Sequence, residues 1–256
     1  MSSILALGAR LTTQALRAVS TRLSDVSKPI AVITGASKGI GRAIALRLAP
    51  EFEIIAVARS SDELEKLAEE IEAAGGMCRP RSVDITNPVA VQAALGDIDA
   101  QVLVNNAGIG VIKPFLELTR DEWRQMVDLN FNALYDVTRA VLPPMVERRS
   151  GHIIVIGSIS GRSAFIGGTG YAATKAAVQA FTESLMLELR EYGIKVSVVH
   201  PGGVATGFSA FADGTDQSWK LKPEDVANAV AHVIDTPPNV LVHRVEVRTL
   251  VPPRRK

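Results

Sequence analysis

A single cysteine, Cys78, stands in 256 residues, so the chain can close no internal disulfide. Cys78 has no neighbours at zinc-ligand spacing, and the four histidines (His152, His200, His232, His243) are scattered, so no metal is expected. Charge of one sign is equally scarce: Lys plus Arg number 28 against 27 Asp plus Glu, a formal net charge of +1. That balance argues against a nucleic-acid partner, and no acidic block suggests a solvating tail. Nowhere do about 18 apolar residues run together, so no membrane-spanning helix is expected. What is present is ordinary: 47% apolar and 21% charged residues, enough chain for one large domain with a buried core. The expectation is a cytoplasmic globular protein, either an enzyme or a binding domain.

The first stretch differs from the rest. It carries Arg10, Arg17 and Arg22 but no acid before Asp25, and Ile4, Leu7, Leu11, Ala15 and Ala18 fit a helical stripe. Three readings compete: a targeting peptide, a helix lying on a membrane surface, and an extension packed on the body or on a partner subunit. Arg10 interrupts the apolar core that a secretory signal would need. We take the packed extension, with organelle targeting and membrane contact as the alternatives. Residues 1–28 are thus an N-terminal amphipathic extension, 29–252 a single domain and 253–256 a basic tail, read as a solvated terminus.

From Ile30 onward short apolar runs alternate with amphipathic stretches. Ile30–Thr34, Ile54–Ala58, Val102–Asn105, Ile153–Ile156 and Val196–His200 are β-branched and nearly free of charge, as strands covered on both faces should be. Val102–Asn105 is counted as the fourth strand. Helices are expected over Ile40–Ala49, Asp62–Ala74, the Arg120–Val146 region and Tyr171–Tyr192. In Asp62–Ala74 the buried stripe is Leu64, Leu67, Ala68 and Ile71, with Ser60 or Ser61 as N-cap and Gly75-Gly76 as the stop. Strand, helix, strand in succession implies parallel pairing with right-handed crossovers, hence a doubly wound α/β sheet.

The chemistry begins at the first turn. Thr34-Gly35-Ala36-Ser37-Lys38-Gly39-Ile40-Gly41 follows the first strand and opens a helix, where glycines let backbone N–H groups approach a pyrophosphate. The spacing G-x-x-x-G-x-G is not that of the common dinucleotide fingerprint, and a tight turn without ligand is the plainer alternative. Other residues converge on the same sheet edge, however: Asn105-Asn106-Ala107-Gly108 after the fourth strand, Ser158 after the fifth and Pro201-Gly202 after the sixth. Tyr171 and Lys175 lie one helical turn apart and so face the same way.

These motifs resemble those of the short-chain dehydrogenase/reductase family in its compact single-domain form. The resemblance covers roughly residues 29–252: TGASKGIG (34–41), NNAG (105–108), DLNF with Asn130, SIS (158–160), YAATK (171–175) and HPGGVAT (200–206). It implies a Rossmann fold, three layers αβα, and an oxidoreductase of carbonyls or secondary alcohols. Its implied catalytic residues are Asn130, Ser158, Tyr171 and Lys175. The implied dinucleotide site is Gly35, Ser37, Lys38, Gly39, Ile40, Gly41, Arg59, Asp84, Ile85, Asn105, Ala107, Gly108, Tyr171, Lys175, Pro201, Gly202, Val204 and Thr206. Lys175 would also hold the nicotinamide ribose, and Asn130 a water linking Lys175 to solvent.

Carbonyl reduction builds negative charge on oxygen, so a proton donor must be aimed there. A phenol can serve, but its reference pKa near 10 makes it a poor base for the reverse reaction unless a cation lowers it. Tyr171 is therefore the expected acid/base, Lys175 the cation that lowers its pKa, and Ser158 the group that orients the substrate oxygen. Ser158, Tyr171 and Phe208 are the expected substrate contacts; Phe211 is weighed between pocket lining and loop packing. The short Gly- and Asp-containing segment Phe208–Leu221 suggests an open site and a small or flexible carbonyl. The end of the second strand, Ala58-Arg59, carries no acid to repel a 2′-phosphate, and Arg59 with Lys38 could bind one, so NADP(H) is expected over NAD(H).

Val240–Leu250 alternates apolar and polar residues, as an antiparallel or edge strand with one wet face would. The resemblance implies a homo-oligomer, a tetramer or a dimer. A 3-oxoacyl-thioester reductase is one specific form of this reading, and a non-catalytic dinucleotide-binding regulator is the alternative of another class. The presence of Asn130, Ser158, Tyr171 and Lys175 together argues for the enzyme.

Overall fold

The computed structural model describes residues 28–206, 208 and 218–251. The expected extension (all but Lys28), Phe211 and the basic tail lie outside them. Seven strands form one sheet: β1 Ile30–Thr34, β2 Glu53–Ala58, β3 Met77–Ser82, β4 Val102–Asn105, β5 Gly151–Ile156, β6 Ile194–Pro201 and β7 Arg244–Val247. Their order is β3-β2-β1-β4-β5-β6-β7, and every pair is parallel. The helices are α1 Gly39–Leu48, α2 Ser61–Ala73, α3 Pro88–Leu95, α4 Arg120–Val127, α5 Ala133–Glu147, α6 Thr169–Leu189 and α7 Pro223–Ile234. The result is a Rossmann-like α/β fold, as expected.

Successive strand residues point to opposite layers, which is why the apolar runs are unbroken. In β1, Ala31 and Ile33 pack with Ile44 of α1, Leu64 and Leu67 of α2 and Val230 of α7. Val32 between them faces the other side, with Val91 of α3, Val137 and Val141 of α5 and Val178 of α6. Each fully buried aliphatic side chain contributes about 1.5–3 kcal/mol of transfer free energy. α2 buries the stripe Leu64, Leu67, Ala68 and Ile71, with Ser60 at the N-cap position but making no side-chain cap bond. Gly75 ends it in the left-handed region at φ 82°.

Four elements differ from the sequence reading. β3, whose place the strand count leaves open, has no apolar run (MCRPRS), because an edge strand pairs through its backbone and buries little. α3 has no charged face to set off its apolar side, although Asn87 caps it by accepting from the Val89 and Ala90 amides and Pro88 opens it. The Arg120–Val146 region is two helices joined by a π-helical turn, Asp128–Asn132. The alternating run at 240–250 narrows to β7, an edge strand that pairs parallel, not antiparallel, with β6 because the α7 crossover returns the chain to the same end of the sheet. Among the described residues no helix is long and apolar enough to cross a membrane.

Since β1 lies between β2 and β4, successive crossovers leave it in opposite directions, which opens a crevice at the carboxyl ends of the strands.

Candidate active site

The turn after β1 is built by close approach. Gly35 sits at φ 67°, and a Cβ on Gly41 would lie 2.3 Å from the Gly35 carbonyl oxygen and 2.5 Å from Asn106 Nδ2. Asn106 Nδ2 donates to the Thr34 carbonyl at 2.9 Å, while Thr34 Oγ1 accepts from the Asn106 and Ala107 amides at 3.0 and 3.1 Å. The two turns that flank the switch point are thus lashed together. The N-terminus of α1 has no side-chain cap and no acid in its first turn, so its amides and dipole are available to an anion.

This turn forms part of a cleft of about 1110 Å³ along the carboxyl edge. Its walls include Gly35, Ser37, Lys38, Gly39 and Ile40 from the first turn, Arg59 after β2, and Asp84 and Ile85 after β3. Ala107, Gly108, Pro201, Gly202, Val204 and Thr206 line it too, as do Ser158, Tyr171, Lys175 and Phe208. With four strands from β2 to β5, Arg59 and Ser158 are set roughly 14 Å apart by the strand spacing. Three expected residues stand behind the wall. Gly41 packs under the turn, Asn105 Nδ2 donates to Thr138 Oγ1 at 3.0 Å, and Asn130 lies in the π-helical turn.

Ser158 ends the β5 connection and caps a single helical turn, its Oγ accepting from the Ser160 amide at 3.1 Å. The same hydroxyl stands close enough to the phenol of Tyr171 to favour its ionised form. Phe208 packs against the Tyr171 ring, centroids 5.7 Å apart. One turn along α6, Lys175 is buried, and its Nζ donates to the Ile156 carbonyl at 2.9 Å. Burial lowers the Lys175 pKa to about 8. Burial raises the Tyr171 phenol above its ordinary value, a shift the neighbouring Ser158 hydroxyl only partly offsets. Lys175 is not among the causes of that shift; its ammonium is engaged by a main-chain carbonyl.

Asn130 is equally occupied. Its Oδ1 accepts from the Ile109 amide at 2.8 Å, and its Nδ2 donates to the Ile109 carbonyl and to Thr174 Oγ1 at 2.9 and 3.0 Å. Both amide hydrogens are used, which leaves a second lone pair on Oδ1 and the main chain for any water. A cavity of about 10 Å³, near the size of one water, lies between Asn130 and Lys175. Thr174, which donates to the Tyr171 carbonyl at 2.9 Å, stands in the sequence reading only as part of a motif, with no role assigned, as does Asn106. The signal for Thr174 was a polar residue on the helical face shared by Tyr171 and Lys175. Beside Arg59 in the cleft, Thr86 holds the Asp84 carboxyl below its ordinary pKa through backbone and side-chain hydrogen bonds, with Arg59 a smaller contributor.

Residues 29–216 match the family described as short chain dehydrogenase. The chain belongs to that family. This short chain dehydrogenase is an oxidoreductase with the small-molecule substrates of its family. It is 36% identical over 234 residues to an uncharacterized oxidoreductase of Staphylococcus aureus, covering 88% of this chain and 99% of the relative. It is 35% identical to an NADP-dependent 3-hydroxy acid dehydrogenase of Salmonella typhi, over 85% and 94% of the two chains. Among solved structures it resembles a serine dehydrogenase complexed with NADP+, at TM-score 0.79, 33% identity and 85% and 94% coverage. It also resembles a 3-oxoacyl-[acyl-carrier protein] reductase of Brucella melitensis with bound NAD, at TM-score 0.79, 31% identity and 88% and 91% coverage.

Proposed function

We propose that this short chain dehydrogenase catalyses NADP(H)-dependent hydride transfer between nicotinamide and a carbonyl or secondary alcohol. The observation that carries the reading is that Ser158, Tyr171 and Lys175 line one cleft with the glycine-rich turn. The residues suit a dinucleotide: an uncapped helix N-terminus faces the turn, and a Cβ on Gly39 would meet Thr206 Cγ2 at 3.2 Å. When bound, the nicotinamide supplies or accepts the hydride.

The chain's own residues handle the proton. Tyr171, with a raised pKa, holds its hydrogen at neutral pH and is set to donate it to a carbonyl oxygen. Ser158, beside that phenol in the cleft, orients the same oxygen. Acting in reverse, Tyr171 must lose its proton; lowering a phenol by ~3 pKa units takes about 4 kcal/mol of differential interaction, a task for the Lys175 cation. Asn130 anchors Lys175's surroundings and supports a water relay through the small cavity beside it. The absence of an acid at Ala58, with Lys38 and Arg59 in the cleft, favours the 2′-phosphate of NADP(H).

The test is a panel of ketones, aldehydes, alcohols and 3-oxoacyl thioesters with NADPH and NADP⁺, followed at the reduced-nicotinamide absorbance. Turnover by the wild type, falling by at least about a hundredfold in Tyr171→Phe with little change in cofactor affinity, supports the reading. Near-normal turnover in Tyr171→Phe refutes it. Activity confined to acyl thioesters would single out the reductase seen among the similar structures.

A further inference from the structure

His200 has no part in the chemistry above, yet it is fully buried at the end of β6, directly behind Ser158. Its Nδ1 lies 3.1 Å from the Ser158 carbonyl oxygen. A carbonyl oxygen can only accept, so Nδ1 carries the hydrogen and donates. The same oxygen accepts from the Gly161 amide at 3.2 Å, which fills both of its lone pairs. The imidazole can reach because residue 157 is glycine: a Cβ there would sit 2.5 Å from His200 Nδ1.

With the hydrogen on Nδ1, Nε2 is an acceptor, and it is buried with no hydrogen-bond partner among the described residues. Burial holds the ring below its ordinary pKa, so it is neutral. Glu246, its register partner on β7, works against that shift, whereas Arg162 and Lys175 add to it. An unpartnered buried nitrogen destabilises the fold, and an aliphatic side chain would fill the same space without that cost. What an aliphatic residue could not supply is the bond to Ser158.

We propose that His200 is a positioning residue for Ser158: by holding the main-chain carbonyl it fixes the backbone from which the serine hydroxyl is aimed at Tyr171. The inference rests on the reading of Ser158 and Tyr171 as reacting groups. Ser158 stands in extended backbone at a strand end, where a rotation of its peptide would swing the hydroxyl away from the phenol. The His200 and Gly161 bonds oppose that rotation.

The experiment compares kcat, carbonyl KM and NADPH dissociation constant in wild type, Ser158→Ala, His200→Leu, His200→Asn and the Ser158→Ala/His200→Leu double variant. His200→Leu should lower kcat about 10- to 100-fold, the scale of an ångström-level misplacement, with NADPH binding unchanged. His200→Asn, whose Nδ2–H can stand where Nδ1–H stood, should remain within about threefold of wild type. In the Ser158→Ala background His200→Leu should cost nothing further, because it acts through Ser158. Should His200→Leu not fold, Gly157→Ala, which displaces the ring from the carbonyl, should give the same kcat loss. Wild-type kcat in whichever of these two variants folds, an Asn variant no better than Leu, or an undiminished loss in the Ser158→Ala background would overturn the proposal. Wild-type turnover in Ser158→Ala would overturn the functional reading instead.

Discussion

At the residue scale the site is a matter of which charges are free to act. Lys38 and Arg59 are exposed in the cleft and join no ion pair among the described residues, while Asp84 stands close enough to Arg59 to feel its charge. Each charge-assisted phosphate contact contributes about 1.5–3 kcal/mol before solvent screening, so two would favour NADPH by orders of magnitude. The expected outcome is a kcat/KM ratio favouring NADPH in the wild type and reversed or erased in Ala58→Asp/Arg59→Leu. A wild type that favours NAD(H) sinks the claim. Lys175 makes a second prediction. Because burial already raises the Tyr171 phenol, alcohol oxidation should climb with pH, and Lys175→Met should push that climb to still higher pH while weakening cofactor binding. An unmoved profile would show that Lys175 does not tune the phenol. The residues of this chemistry were legible because polar types recurred at the ends of apolar runs. The direction of the Tyr171 shift was not legible, since spacing says nothing of how deeply a helix face is buried.

At the element scale the glycine-rich turn is the part with least slack. Gly41→Ala would place a carbon against the Gly35 carbonyl and Asn106, contacts that real side chains never make. The turn must open, at a cost of about 1–3 kcal/mol for overpacking. NADPH affinity should fall sharply in isothermal titration while far-UV circular dichroism changes little. Unchanged affinity would mean the turn does not cradle the phosphates. Elements with two buried faces, such as β1 and β5, announce themselves as apolar runs. β3 does not, because Arg79, Pro80 and Arg81 suit an edge that must not recruit another strand. The π-helical turn at Asp128–Asn132 left no mark either: one extra residue in a helical turn does not disturb the apolar period enough to be seen, although it sets where Asn130 points.

At the scale of the whole molecule two predictions concern assembly and acid. Tyr135 on α5 and Leu187 on α6 are large, exposed and apolar, and β7 is an edge strand among the described residues. A homo-oligomer covering these helices should elute at two or four times 27.3 kDa by light scattering, and Leu187→Arg should lower that mass. A monomeric wild type rules the assembly out. His152, buried at the opposite end of the sheet and bonded to Ser197 Oγ at 2.8 Å, has its pKa lowered to about 3 by burial, with Lys195 adding. Its folded pKa is below the unfolded value of 6.5, so its stabilising effect is complete above pH 6.5 and declines as pH falls toward 3. The slope approaches about 1.4 kcal/mol per pH unit between those limits. His152→Gln should flatten the loss of melting temperature on acidification, and an unchanged slope would point to other groups.

The sheet order also governs how the chain reaches this state. Among the described residues no strand pairs with its neighbour through a hairpin, and the central pairing sets Ile33 of β1 against Val104 of β4, with all of β2 and β3 between them in the chain. Closing that interval must precede most of the burial that rewards it, so refolding from denaturant should be slow and prone to aggregation at high concentration. During synthesis, β1, β2 and β3 leave the ribosome before β4 exists, and β1 then offers an unpaired flank until β4 arrives. The crevice that forms the candidate site in the finished protein is, in the nascent one, the seam where the two halves have yet to meet.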